Sequence, residues 1–338
     1  MEKQVQKTGF LRKIEKSTLW LLLLLIGLVV VVSIAAPKQF VTLANFQSMG
    51  FQLPEFGIMS LGMMICMIAG GIDLSIVGMA NLSGIVAAAF MHAVGVDSTA
   101  GMAGGICLAL VVGMACGAFN GLLIGGLRIP AMLVTLCAQQ IFMGLGLVIT
   151  KGPAIAGLSE AYQVIGNGVV ANAIPIALVL FIGVAVVLFF VMKYTVYGQQ
   201  LYLLGSNPVA SRYSGVNNIK VIVKTHMISG LLAAVAGIVI SSHYGSAKSD
   251  YGSAYTLQTL LICILGGISP VGGKGKLAGV VLAIVIIQVI SSAFGILRVD
   301  SFLKTFVFGL ILIAVMIMQY WAGSGSKKIK TTKEKQIG

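Results

Sequence analysis

Leu19-Trp-Leu-Leu-Leu-Leu-Leu-Ile-Gly-Leu-Val-Val-Val-Val-Ser-Ile-Ala-Ala36 carries no charge and is long enough to cross a bilayer as a helix. Its basic leader resembles a signal peptide. Pro37-Lys38-Gln39, however, is not a small-residue cleavage site, so the segment reads as a membrane span. Working outward, similar apolar blocks follow at roughly 46–70, 75–93, 101–127, 130–150, 172–192, 221–242, 255–268, 276–297 and 302–321. The chain is 58% hydrophobic and 9% charged, with a mean hydropathy of +1.03. A soluble domain of this length needs far more charge to cover its surface. The expectation is an all-α fold, a polytopic membrane bundle of about ten transmembrane helices.

A net charge of +13 invites a nucleic-acid reading, but its distribution excludes one. Lys3, Lys7, Arg12, Lys13 and Lys16 precede the first span, and Lys327, Lys328, Lys330, Lys333 and Lys335 follow the last. Lys193, Arg212, Lys220 and Lys224 occupy a central polar stretch without acids. By the positive-inside rule all three regions are cytoplasmic, which requires an even number of spans. The organisation expected is a basic segment at 1–17, a transmembrane domain at 18–321 with a cytoplasmic loop at 193–220, and a basic tail at 322–338. Both termini are then cytoplasmic. Asp97, Glu160, Asp250 and Asp300 fall on the opposite side.

The central stretch contains Tyr197-Gly-Gln-Gln-Leu-Tyr-Leu-Leu-Gly-Ser-Asn-Pro-Val-Ala-Ser-Arg-Tyr-Ser-Gly-Val216. Asn207 suits an N-cap, Pro208 the first helical position, and Gly215 the close of a helix about two turns long. Val209 and Tyr213, four apart, share one face. A short capped helix facing water inside a membrane protein reads as a docking element.

Catalytic chemistry is missing. His92, His226 and His243 lie at or near block ends with no carboxylate or cysteine partner nearby in sequence, so a structural or interfacial role is expected. Cys66, Cys107, Cys116, Cys137 and Cys263 sit in apolar blocks without metal-ligand spacing and read as buried free thiols. Gly267-Ile-Ser-Pro-Val-Gly-Gly-Lys-Gly275 imitates a phosphate loop, with one residue too many before its Gly-Lys pair and Gly275 in place of the magnesium-holding Ser or Thr. The chain is not its own ATPase. Gly101-Met-Ala-Gly-Gly105 and Gly113-Met-Ala-Cys-Gly117 bring helices close together.

Ionisable groups at membrane depth are costly and mark function. Asp73 follows the helix-breaking Gly70-Gly71, with Ser75 placed to reach exposed backbone groups. It reads either as a cap on the next helix or as a contact for solute or a coupling ion. Glu55 follows Pro54 and reads either as an interfacial group or as the lining of a polar break. Asn81, Asn120, Gln139 and Gln140 are amides in apolar surroundings, suited equally to solute binding and to bonding between helices. A faint echo links Ile65-Cys-Met-Ile-Ala-Gly-Gly-Ile72 with Ile262-Cys-Ile-Leu-Gly-Gly-Ile268, as duplication within a transporter would.

Gly70-Gly-Ile-Asp-Leu-Ser75, Ile129-Pro-Ala-Met-Leu-Val-Thr-Leu136, Gly205-Ser-Asn-Pro-Val-Ala-Ser-Arg-Tyr-Ser-Gly-Val-Asn217 and Leu265-Gly-Gly-Ile-Ser-Pro-Val-Gly-Gly-Lys-Gly275 occur in this order. From about residue 40 to 320 the chain resembles permease subunits of monosaccharide ABC importers, of the ribose, xylose, galactoside and autoinducer-2 type. The resemblance implies an importer subunit in a prokaryotic cell membrane. Two ATPase subunits carrying ATP and magnesium, an extracytoplasmic sugar-binding protein, and a second copy or sister permease complete it, with no cofactor or metal on this chain. It also implies that Gly198, Gly205, Asn207, Pro208, Val209, Arg212, Tyr213 and Gly215 form the element coupled to the ATPase. Glu55, Asp73, Asn81, Asn120, Gln139 and Gln140 are the candidates for the solute path. Ile76-Val77-Gly78 and Pro54-Glu55 depart from the commonest family pattern. An ion-coupled secondary transporter and a branched-chain amino-acid permease are the alternatives.

Overall fold

The computed structural model describes residues 16–300 and 302–317; the basic leader and tail lie outside the described residues. The helices are α1 (Lys16–Ala35), α2 (Pro37–Phe40), α3 (Leu43–Ile68), α4 (Ile76–Val94), α5 (Thr99–Gly126) and α6 (Ala131–Thr150). They continue with α7 (Glu160–Asn167), α8 (Ile176–Tyr194), α9 (Val196–Ser206), α10 (Pro208–Tyr213), α11 (Asn218–Tyr244), α12 (Tyr255–Leu265), α13 (Leu277–Ile296) and α14 (Phe302–Ile317). Four two-residue strands form two antiparallel pairs: β1 (Ile155–Ala156) with β4 (Ser246–Ala247), and β2 (Val169–Val170) with β3 (Ile174–Pro175).

Each of the ten expected apolar blocks is helical, but eight of the helices are long and apolar enough to span a membrane. The other two, α12 and α14, are shorter. At ~1.5 Å per residue α12 covers about 16 Å, roughly half the hydrocarbon core. The non-helical segment 248–252 leads into it. The Asn81 amide donates to the carbonyls of Ser249 and Tyr251 there, at 2.9 and 2.8 Å. Irregular backbone at membrane depth must find such partners, because lipid offers none.

Helix α3 is the axis of the bundle. Its run from Phe56 to Ile68 is buried on every side, as expected of a helix apolar all round. It is enclosed by α8, α11, α12 and α13, and Pro54 is accommodated without ending it. Helix α1, by contrast, leaves most of its surface outside the bundle and touches α13 along one seam.

The closest pairing, α5 with α11, follows from glycine spacing. Gly101, Gly105, Ala109, Gly113, Gly117, Gly121 and Gly125 are all buried and recur every fourth residue, forming a stripe without side chains. A β-carbon on Gly113 or Gly117 would strike the backbone carbonyl of Gly230 or His226 on α11. The cysteines divide differently from expectation. Cys66 and Cys263 are buried, Cys116 is intermediate, and Cys107 and Cys137 are exposed on the outer faces of α5 and α6.

Candidate functional site

The two ends of the bundle differ in charge. At the end carrying α9 and α10 lie Arg128, Lys193, Arg212, Lys220, Lys224, Lys274 and Lys276. The other end carries α7, the strand pairs and a mixed set of charges, Asp97, Glu160, Asp250 and Asp300 with Lys38, Lys151, Lys248 and Arg298.

Helix α10 is built as its sequence requires. The Asn207 side-chain oxygen accepts from the amides of Val209 and Ala210, both at 3.0 Å, and Pro208 fills the first helical position. At the other end Gly215 has φ +81°, its amide donates to Arg212, and the Val216 amide donates to Ser211, a Schellman closure. Buried Ser211 bonds Asn218 at 2.9 Å, and Asn218 bonds the Pro208 carbonyl at 2.7 Å, fastening α10 to the start of α11. Val209 and Tyr213 are left 65% and 89% exposed on one face, beside exposed Arg212. Together with Arg128 at the end of α5 they line an open cleft of about 1070 Å³.

Gly198 and Gly205 have a different use: close approach. A β-carbon on Gly198 would enter the backbone of Met192, where α8 turns into α9. At Gly205 it would enter the carbonyl oxygen of Ile68, the last residue of α3. That carbonyl accepts from the Gly273 amide at 2.9 Å, and Tyr202 of α9 donates to the Gly275 carbonyl at 2.9 Å. Burial raises the Tyr202 pKa, keeping the phenol neutral and donating. The phosphate-loop imitation is therefore a backbone seat between α9 and the end of α3. The sequence echo also has a structural counterpart. Gly70 and Gly71 close α3 onto Met67 and Cys66 as Gly267 and Ile268 close α12 onto Ile264 and Cys263.

Three residues beyond Gly70, Asp73 is completely buried. It does not cap α4 directly. Ser75 holds the cap position, and its amide and hydroxyl both donate to Asp73, at 3.2 and 2.6 Å. Ser229 of α11 donates to the second carboxylate oxygen at 2.9 Å, and Asn120 donates to Ser75 at 2.8 Å. Ser75 is thus turned toward the carboxylate. Cys66, Asp73 and His226 bring ligand-type atoms within 4.8 Å of one another, the group of metal-ligand character found among the described residues. Asp73 accepts from the Ser75 amide and hydroxyl and from the Ser229 hydroxyl, while the buried Nε2 of His226 has no hydrogen-bond partner among the described residues.

Glu55 lies on the other side of the bundle's middle and is 1% exposed. Its carboxylate is bonded by His243 at 2.6 Å and by the Tyr255 hydroxyl at 2.7 Å. His243 therefore has a carboxylate partner, and His226 a carboxylate and thiol neighbourhood, none of them near in sequence. Partners on other helices, 188 residues away for His243, leave no local signal. His92 and His243 both stand in the last turn of their helices, as expected, and His92 bonds the Ala156 carbonyl at 3.1 Å.

The amides separate. Asn120 joins the Asp73 group, and Asn81 supports 248–252. Gln139 accepts the Gly78 amide of the first turn of α4 at 2.9 Å. Gln140 is exposed on the outer face of α6, away from both carboxylates.

Residues 47–316 match the family model described as "Branched-chain amino acid transport system / permease component". The chain belongs to this permease family. The ribose import permease protein RbsC of Bacillus subtilis is 32% identical over 297 residues, covering 86% of this chain and 89% of its own length. The L-arabinose transport system permease protein AraH of Escherichia coli is 29% identical over 293 residues, covering 86% and 87%. An autoinducer 2 import system permease protein, LsrC of Yersinia pseudotuberculosis, is 29% identical over 263 residues, covering 77% and 72%. No solved structure matches the chain. A permease family spanning both carboxylate groups and α10 makes the protein a multi-pass transport subunit of a prokaryotic membrane rather than an enzyme.

Proposed function

We propose that the chain is the membrane-spanning subunit of an ATP-driven importer for a monosaccharide or a closely related small polar solute. The carrying observation is α10: capped at both ends, fixed to α11, and presenting Val209, Arg212 and Tyr213 to water. A separate ATPase, holding ATP and magnesium, seats on this face from the cytoplasmic side, and both termini lie on that side with it. The exposed residues of the opposite end receive a sugar-binding protein, and a second copy or sister permease completes the translocation unit. ATPase closure moves α10 and α9, and the Gly205–Ile68–Gly273 contact carries that motion to α3 and Asp73.

The relatives named for ribose, arabinose and autoinducer 2 import favour this reading over an ion-coupled carrier. Glu55 and Asp73 also have their hydrogen bonds filled from within the chain, as structural carboxylates do. Co-expression with a candidate ABC ATPase subunit from the same genome tests the assembly. The ATPase co-purifies with the native chain and is lost with Arg212→Glu. Solute transport by the purified chain alone, without ATP, refutes the proposal.

A further inference from the structure

The outer part of the spanning helix α3 exposes Ala44, Ser48 and Gln52 along one face, four residues apart. Gln52 donates to Ser48 at 3.2 Å. Uncharged amides and hydroxyls are costly against lipid, so this stripe borders water or protein. It ends about 14 Å into α3, just above buried Glu55. Beside it lies a shallow, open cavity of about 230 Å³, lined also by Gln47, Phe51 and His243. That is smaller than the roughly 300–1,000 Å³ of pockets for drug-sized molecules.

We propose that this cavity is a contact site for a neutral polyhydroxylated solute, a single sugar ring entering from the outer end; this rests on the importer reading above. The lining has the two kinds of surface a sugar needs. Flat rings, Phe51 and His243, with centroids 6.1 Å apart, suit its C–H faces, and the row continues through Tyr244 and Tyr251 at 5.2 and 4.8 Å. The Gln47 amide nitrogen is held by the carbonyls of Asn172 and Ala173, which leaves its oxygen as an acceptor, while Ser48 and Gln52 supply both donors and acceptors for hydroxyls. Glu55 does not reach the cavity. It sits behind His243, and its bond to Nδ1 fixes the imidazole and leaves Nε2 for the solute. The one charge near the site is thereby spent on the ring. A zwitterionic amino acid would need both a cationic and an anionic partner, and the cavity lining offers neither pair.

The test uses the complete transporter in right-side-out vesicles carrying Gln52→Cys, with the unsubstituted chain as blank for its own cysteines. A membrane-impermeant thiol reagent labels position 52. Ribose or arabinose, whichever the vesicles import, at four times its Kd for this site slows labelling about fivefold. Leucine does not slow it, and His243→Gln abolishes the protection. Failure of a transported sugar to protect, or equal protection by leucine, overturns the site while leaving the importer intact. Vesicles that import leucine and no sugar overturn the functional reading itself, and this site with it.

Discussion

Replacing Gly205 with alanine puts one methyl group where α9 touches the end of α3. The new β-carbon would lie inside the Ile68 carbonyl oxygen and 2.6 Å from the Gly273 amide nitrogen. Both obstacles are backbone, so no rotamer change relieves the clash. The helices must separate until ordinary contact, 3.4 Å or more, is restored. Overpacking of this kind costs about 1–3 kcal/mol. Separation also stretches the bond from Gly273 to Ile68, and an unsatisfied buried group adds about 1–3 kcal/mol. A total near 2–6 kcal/mol at one contact is large against the stability of an ordinary domain. Gly183→Ala is the control, because nothing lies within 4 Å of its β-position. In vesicles reconstituted with ATPase and binding protein, Gly205→Ala is expected to lose most solute uptake per ATP hydrolysed. It keeps the ATPase bound, since Val209, Arg212 and Tyr213 are untouched, and it melts at a lower temperature in detergent than the control. Equal uptake and equal melting in the two variants would refute the role assigned to this contact.

Asn207→Ala removes the oxygen that accepts two amides of α10. It should cost about 1 kcal/mol locally and weaken ATPase binding in a pull-down titration without altering the chain's melting temperature. Asp73→Ala leaves the Ser75 amide and the hydroxyls of Ser75 and Ser229 without their acceptor inside the bundle and should destabilise by about 2–5 kcal/mol; Asp73→Asn, which retains an acceptor, should lose much less in the same detergent melt. Gln140→Leu should leave uptake within about twofold of the native chain, because the side chain meets neither carboxylate group. In the outer cap, Tyr162 bonds Ser241 at 2.7 Å, and burial pushes its pKa up to about 12. The raised value means stability is full below the free phenol's pKa near 10 and falls as pH rises toward 12, a loss that Tyr162→Phe should abolish in alkaline melts.

What sequence reading reached, and what it missed, divides by the range of the forces involved. The cap, Pro and Gly of α10 act within a few residues, so 207–215 gave a correct helix with its exposed face. Each apolar block became a helix for the same reason. Block 255–268 runs three residues past the end of α12, because apolar composition does not distinguish the helix from the Gly266-Gly267-Ile268 turn that closes it. Asp73 looked like a cap because it stands just before α4; the donors that claim it are Ser229 on α11 and Ser75, itself drawn in by Asn120 on α5. For Glu55 the local cue was Pro54, while its partners, His243 and Tyr255, stand on α11 and near the start of α12. Among the amides, Gln140 and Gln139 are adjacent in sequence. A helix turns about 100° per residue, so one faces in and the other out.

By itself the sequence determined that this chain lies in a membrane, how many apolar segments it has, and which polar segment stands out for docking. Bilayer burial and helix capping are set by composition and near neighbours, which the sequence states directly. Only the tertiary structure decided that Gly205 bears on the last carbonyl of α3, that the phosphate-loop imitation is the seat beneath it, and that His243 guards Glu55. Those contacts join groups tens to hundreds of residues apart. Their energies depend on backbones meeting at contact distance and on carboxylates finding donors out of reach of water, and both are properties of the packed bundle.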